Sequence, residues 1–203
     1  MRVIAGIYRS RILKSPKGLA LRPTSDRLRE TLFNVLAPNI AGSRFVDLFA
    51  GTGAIGIEAL SRGAAEVVFI ENHAPAATLI RRNLESLGVS SGVTVLAVDA
   101  LRGLAMLAAR KSSGAPAFDV VFLDPPYAAA EDYSRVLEFL GSADLLAPGG
   151  MVVAEHRRNF DLPEEPGVIK RFRVLKQGDA ALSFYRRRGE TGGETSGEDN
   201  SAE

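Results

Sequence analysis

From residue 44 onward the chain alternates short, almost wholly apolar runs with longer segments whose apolar positions recur at helical spacing. Residues 44–49, 66–70, 93–98, 118–123 and 151–155 read as strands. They are rich in β-branched residues and show little polar alternation, as expected when both faces of a sheet are covered. Between them, residues 54–62, 75–87, 101–110 and 130–140 read as helices, the first stopped by Gly63 and the second by Gly88. The alternation predicts a doubly wound parallel sheet. Residues 168–176 and 181–187 break the rhythm around Gly178-Asp179 and read as an antiparallel hairpin. Ahead of the sheet, residues 3–8 and 11–13 read as short strands around a turn. Residues 27–36 then read as a helix capped by Thr24 or Ser25 and ended by Pro38.

Composition leaves this picture ordinary, with 46% apolar and 24% charged residues over 203 positions and a formal net charge of +1. The placement of the charge changes it. Residues 1–30 hold eight Lys and Arg against Asp26 and Glu30, whereas residues 189–203 hold five acids and no base. Three parts are therefore expected: a basic extension over 1–40, a main domain over 41–188, and a disordered acidic tail over 189–203 with no large apolar residue to bury. Cysteine is absent and there are two histidines, His73 and His156, which excludes disulfide scaffolds and thiolate chemistry and leaves no metal site to expect. No uncharged apolar run reaches the ~18–20 residues of a membrane helix. The opening residues carry charges on both sides of a very short apolar stretch, unlike a signal peptide. A cytoplasmic protein without a membrane partner is expected.

In a doubly wound sheet, ligands bind at the carboxyl ends of the strands. The first strand ends Asp47-Leu48-Phe49-Ala50-Gly51-Thr52-Gly53, with Gly56 three residues on. Its glycines permit a sharp turn and close approach to a ligand, and the following helix offers free N–H groups. The second strand ends on Glu71-Asn72, 20 residues after Gly51, a spacing that suits ribose hydroxyls. These two features fit a nicotinamide cofactor as well as S-adenosylmethionine. The third strand leads to Asp99-Ala100, which suits an adenine amino group or a plain helix cap. The fourth ends Asp124-Pro125-Pro126-Tyr127. Two prolines remove two N–H donors and leave carbonyls beside a carboxylate and a ring. That set accepts the hydrogens of a planar exocyclic amine and stacks on its base, which places catalysis on Asp124, Pro125, Pro126 and Tyr127. An aromatic amine loses its proton after methyl transfer, so no strong base is needed beforehand.

Together these motifs resemble the class I S-adenosylmethionine-dependent methyltransferases. More closely, Arg2-Val3-Ile4-Ala5-Gly6, the Arg22-Pro23-Thr24 run leading to Arg29-Glu30, the Asp47 to Gly63 segment and Asp124–Tyr127 resemble the RsmD family of bacterial 16S rRNA guanine-N2 methyltransferases. The resemblance implies a Rossmann-like fold: a mostly parallel seven-stranded sheet with a carboxyl-terminal antiparallel hairpin and a small amino-terminal β-hairpin and helix. It implies S-adenosylmethionine held by Asp47, Phe49, Gly51, Gly53, Glu71, Asn72, Asp99 and Ala100. It also implies methylation of one guanine of 16S rRNA, within the small ribosomal subunit or its assembly intermediate, by a monomer. The chain departs from the family pattern at His156, at the turn Lys176-Gln177-Gly178-Asp179 and in its acidic tail.

Arg2, Arg9, Arg11, Lys14 and Arg22 are the expected RNA contacts, extended by Arg157 and Arg158 past the fifth strand. Three other readings stay open. A DNA adenine-N6 or cytosine-N4 methyltransferase would use the same Asp-Pro-Pro-Tyr, although the chain has no room for a separate target-recognition domain. A nicotinamide-dependent oxidoreductase would leave Asp124–Tyr127 idle. A non-catalytic RNA-binding protein would leave every strand-end motif unexplained.

Overall fold

A computed structural model describes residues 1–15, 25–126 and 130–190. Lys17, Arg22, Tyr127 and the acidic tail from position 191 lie outside the described residues. The elements run α1 (Asp26–Ile40), β1 (Arg44–Leu48), α2 (Ala54–Ser61), β2 (Glu66–Ile70), α3 (Ala74–Ser86), β3 (Val93–Leu96), α4 (Ala100–Ser112), β4 (Phe118–Leu123), α5 (Ala130–Ser142), β5 (Leu146–Arg157), β6 (Ile169–Gln177) and β7 (Ala180–Arg187). The strands form one seven-stranded sheet in the order β3-β2-β1-β4-β5-β7-β6. β1 to β5 are parallel, and β7 runs antiparallel to both β5 and β6.

The strands read as continuous apolar runs because alternate residues feed two different cores. Phe45, Val67, Phe69, Val120, Phe122 and Val153 pack with Leu32, Phe33 and Leu36 of α1 and Ile57 of α2. Val46, Val68, Ile70, Val121, Leu123 and Val152 pack on the other face with Leu104 and Leu107 of α4 and Val136, Leu137 and Leu140 of α5. Period two within each strand places Asp47, two residues past Phe45, on the α1–α2 face. The same parity carries Asp124 and Glu155 to that face, two residues past Phe122 and Val153.

Two expectations are corrected. Pro38 does not end α1, which continues to Ile40. Proline removes one helical N–H, but Pro38 and Asn34, whose carbonyl loses its donor, both face solvent, and Ile40 still turns into the core. The amino-terminal hairpin is narrower than its sequence suggests, a single bridge between Arg2 and Ile12. Its middle hydrogen-bonds to α2 in place of its own other half: the Ile4 and Ala5 N–H groups donate to Glu58, at 2.7 and 3.0 Å, and the Ile7 N–H to the Ser61 carbonyl at 2.8 Å. Ser25 caps α1, its hydroxyl accepting from the Leu28 N–H at 3.1 Å, and Thr24 lies outside the described residues. No helix among the described residues is long and apolar enough to cross a membrane.

Candidate active site

The turn after β1 is held from below by carboxylates. Asp47 is buried, and its Oδ2 accepts from the Gly56 N–H at 2.9 Å. Glu71, at the end of β2, is buried as well and not solvated. Its Oε2 accepts from the Gly51 N–H at 2.7 Å and its Oε1 from the His73 N–H at 2.8 Å. Phe49 turns the chain with φ of 60°, a left-handed conformation that costs a non-glycine residue of order 1 kcal/mol or more and is held by its surroundings.

The glycines of this turn divide their work. Gly51 has φ of 55°, and a Cβ there would meet only the Phe49 carbonyl at 3.9 Å, so its outer side is open to a ligand. Gly56 serves packing instead. A Cβ there would lie 2.3 Å from the Phe69 ring, so its absence is what lets α2 sit against β2.

The other strand ends line up by register. Leu48 pairs with Leu123 and Leu123 with Ala154, which sets Asp124 at the end of β4 beside Glu155 on β5. Glu155 is 5% exposed and Asp124 half-buried, followed by a buried Pro125 and an exposed Pro126. Enclosure holds the Asp124 carboxyl well above the usual carboxylate range, and the neighbouring Glu155 and Asp47 carboxylates add to the rise. Burial likewise pushes Asp47 up to about 8, against the Gly56 N–H, which favours the charged form, and with a smaller upward contribution from Glu71. The strand ends thus gather enclosed carboxyls whose ionisation a cationic ligand would favour. Asp99 and Ala100 follow β3, on the other side of β2, where Asp99 is exposed and caps α4, its carboxylate accepting from the Arg102 N–H at 2.9 Å. Asn72 is exposed, and His73 takes the capping position of α3.

The sequence matches, over residues 1–186, the family described as "Conserved hypothetical protein 95". It is 36% identical over 189 residues to Escherichia coli ribosomal RNA small subunit methyltransferase D, covering 92% of this chain and 90% of that protein. The chain belongs to the RsmD family. It is also 37% identical over 189 residues to Bacillus subtilis YlbH, provisionally named an rRNA methyltransferase, covering 93% of this chain and 100% of that protein. The solved structure of E. coli yhhF, provisionally named a methyltransferase, superposes with a TM-score of 0.77 at 31% identity, covering 92% of this chain and 97% of that one. The fold is the Rossmann-like class I methyltransferase fold that the resemblance of the strand-end motifs implied.

In this RsmD-family chain the basic segment is fastened through its backbone. Besides the bonds to Glu58, the Tyr8 N–H donates to the Ser61 hydroxyl at 2.9 Å, and Arg29 Nη2 donates to the Arg2 carbonyl at 2.6 Å. The side chains of Arg2, Arg9, Arg11 and Lys14 remain exposed, although Arg2 faces Asp26 at 3.8 Å and Arg11 donates to the Ser86 carbonyl at 2.8 Å. Arg157, the last residue of β5, and Arg158 after it are exposed at the carboxyl end of that strand. His156, the departure noted in the sequence, is buried between β5 and β7. Its Nδ1 lies 2.9 Å from the Arg157 carbonyl and its Nε2 2.8 Å from the Ser183 hydroxyl, so the neutral ring donates through Nδ1 and accepts from Ser183.

Sequence reasoning passed over several buried polar groups of the RsmD-family chain. Glu155 could have been found by the rule that found Asp124, since it follows an apolar strand at its carboxyl end. Glu58 is the one acid in the otherwise apolar α2, a pattern that signals a buried partner. Arg29 and Asn83 gave no such signal, because each sits in a helix with an ordinary polar face.

Proposed function

We propose that the chain transfers a methyl group from S-adenosylmethionine to the exocyclic N2 of one guanine in 16S rRNA, within the small ribosomal subunit or its assembly intermediate. The observation that carries this reading is the end of β4. Asp124 lies ahead of two residues without N–H groups and beside a second buried carboxylate, next to a glycine turn with an open side. Family membership supports its coarser part, since E. coli ribosomal RNA small subunit methyltransferase D is named for methylating small-subunit ribosomal RNA.

Bound S-adenosylmethionine supplies an electrophilic methyl group on a positive sulfur. Glu71, with both oxygens already fixed by backbone N–H groups, has lone pairs left for the ribose hydroxyls. The Gly51 side of the turn admits the chain of the methionine part, with Phe49, Gly53 and Asn72 around it, and Asp99 and Ala100 serve the adenine. Asp47 faces positive charge. Asp124 and the Pro125 carbonyl each accept an N–H of the guanine amine and hold its nitrogen in line with the methyl–sulfur bond. The N–C bond forms as the C–S bond breaks, and the cationic nitrogen then gives up a proton. Asp124 is suited to receive it, because its enclosed carboxylate holds protons more tightly than an exposed one. Tyr127 stacks on the base. The test is transfer of labelled methyl from S-adenosylmethionine to small-subunit RNA lacking the modification. Label in the RNA supports the assignment, and none with a folded, cofactor-bound protein contradicts it.

This cluster of enclosed carboxyls gives a pH dependence. A positively charged ligand favours ionised Asp47, so below about 8 binding must displace a proton. Affinity for S-adenosylmethionine is expected to rise with pH up to about 8 and then level off, with proton release visible in calorimetry as a dependence on buffer ionisation heat. A flat profile across this range would show that Asp47 does not feel the ligand's charge.

The exposed Arg2, Arg9, Arg11 and Lys14, with Arg22, Arg157 and Arg158, supply the RNA contacts in this account. Replacing Arg9 and Arg11 by Gln is expected to weaken RNA binding. It should also flatten the plot of log affinity against log salt by roughly 0.7–0.9 units per lost phosphate contact, with cofactor affinity unchanged. An unaltered salt slope would move the RNA site away from this segment.

A further inference from the structure

The search for function outside the strand ends leads to one buried amide. Asn83 on α3 is fully buried, and every polar atom of its side chain is used. Its Oδ1 accepts from the Lys14 N–H at 2.9 Å, and its Nδ2 donates to the Lys14 carbonyl at 3.2 Å and to the Thr52 carbonyl at 3.1 Å. Thr52 lies between Gly51 and Gly53, both at positive φ, in the turn whose Gly51 N–H is held by Glu71. Lys14 lies at the base of the basic segment. A second contact joins the same two places: the Leu13 N–H donates to the Met1 carbonyl at 3.0 Å, and the Met1 sulfur sits 3.8 Å from the Thr52 hydroxyl oxygen. The foot of the hairpin therefore rests on the cofactor turn, and one amide holds both.

We propose that Asn83 is a positioning residue that couples the RNA-binding segment to the cofactor turn, so that RNA and cofactor each strengthen the binding of the other. The proposal rests on the assignment of RNA to the amino-terminal segment and of S-adenosylmethionine to the glycine turn. The physical argument is short. The Thr52–Gly53 peptide, in a turn with a flexible glycine on each side of Thr52, is held on its N–H side by the Ala50 carbonyl at 2.7 Å and on its carbonyl side by Asn83. Asn83 in turn can hold Thr52 in that orientation only while its other atoms stay matched to Lys14. RNA that fixes the segment around Lys14 thereby fixes the turn in its binding geometry. By linkage, cofactor that fixes the turn fixes the segment. Asn83 touches neither ligand in this arrangement.

The test is a thermodynamic cycle on the full chain. Affinity for S-adenosylhomocysteine is measured with and without saturating unmodified small-subunit rRNA, in the native protein and in Asn83→Ala and Asn83→Asp. The native protein is expected to bind S-adenosylhomocysteine at least about 5-fold more tightly when RNA is present, the low end of usual coupling. In Asn83→Ala that ratio should fall toward one. Asn83→Asp keeps the acceptor for the Lys14 N–H but loses both donated bonds, and should retain RNA binding with a reduced ratio. A merely structural asparagine would lower stability and leave the ratio unchanged, because the ratio compares one variant with itself. If Asn83→Ala does not fold, Asn83→Asp with a cooperative melting transition decides the matter. A native ratio of one, or a variant ratio equal to the native one, overturns the coupling while leaving the functional reading intact. Failure of the native protein to bind either ligand overturns the reading beneath it.

Discussion

Asp124→Ala is expected to lower methyl transfer by roughly 10²-fold or more, the usual loss when a group that orients the nucleophile is removed. Cofactor affinity should change little, because the residues around the glycine turn are Asp47, Glu71 and Asn83, and none of them bonds to Asp124. Removing one carboxylate from an enclosed acidic site also relieves repulsion on Asp47 and Glu155, so the variant should fold at least as well as the native protein. Asp124→Asn sharpens the test. It keeps a carbonyl acceptor for the amine but cannot take up a proton, so its residual rate separates orientation from proton acceptance. The readout is single-turnover transfer at saturating cofactor beside calorimetry of S-adenosylhomocysteine. A near-native rate for Asp124→Ala would remove the amine from the end of β4.

Glu58→Ala is expected to produce the largest loss of stability, about 3–5 kcal/mol, as when one partner of a buried charge pair is removed. Its two oxygens take the Ile4 and Ala5 N–H groups and Arg62 Nε at 2.8 Å, with Arg29 Nε 3.9 Å away. Arg29 is completely buried, so without Glu58 it keeps only Asp26 at 3.0 Å as a carboxylate partner. Against a typical total of about 5–15 kcal/mol, such a loss is a large share. Urea denaturation measures it. RNA affinity should fall in parallel, since the segment that carries Arg9 and Arg11 loses its anchor. A change below about 1 kcal/mol would mean that the bonds to Ser61 and Asn83 hold the segment unaided.

The centre of the sheet was legible because β1, β2 and β4 are buried on both faces, which leaves an apolar run with no competing period. The bounds of β2 and β4 are the same in sequence and structure for that reason. The helix ends were less legible. Nothing in the composition around Pro38 says that its ring would face solvent, and that orientation decides whether the helix stops. Under the strand-end rule the candidate site was legible as positions: Asp47 and Glu71 hold the glycine turn and Asp124 stands beside Glu155, whereas Asp99 caps α4. The rule ranks single strands, however, and gives no register between them. Only the pairing of β4 with β5 brings Glu155 beside Asp124, where its carboxylate adds to the rise that burial gives the Asp124 pKa. Glu58, Arg29 and Asn83 join α1, α2 and α3 to a segment 27 to 69 positions away in sequence, contacts that no local pattern encodes.

The measurement that bears most directly on the central claim is mass mapping of rRNA methylation. Small subunits lacking the modification are incubated with the native protein and S-adenosylmethionine, and their RNA is digested and sequenced by mass. The account predicts one added methyl group, on the exocyclic nitrogen of a single guanine, and its loss with Asp124→Ala. A methyl group on a ring nitrogen, on a ribose or on DNA in preference to this RNA would contradict it.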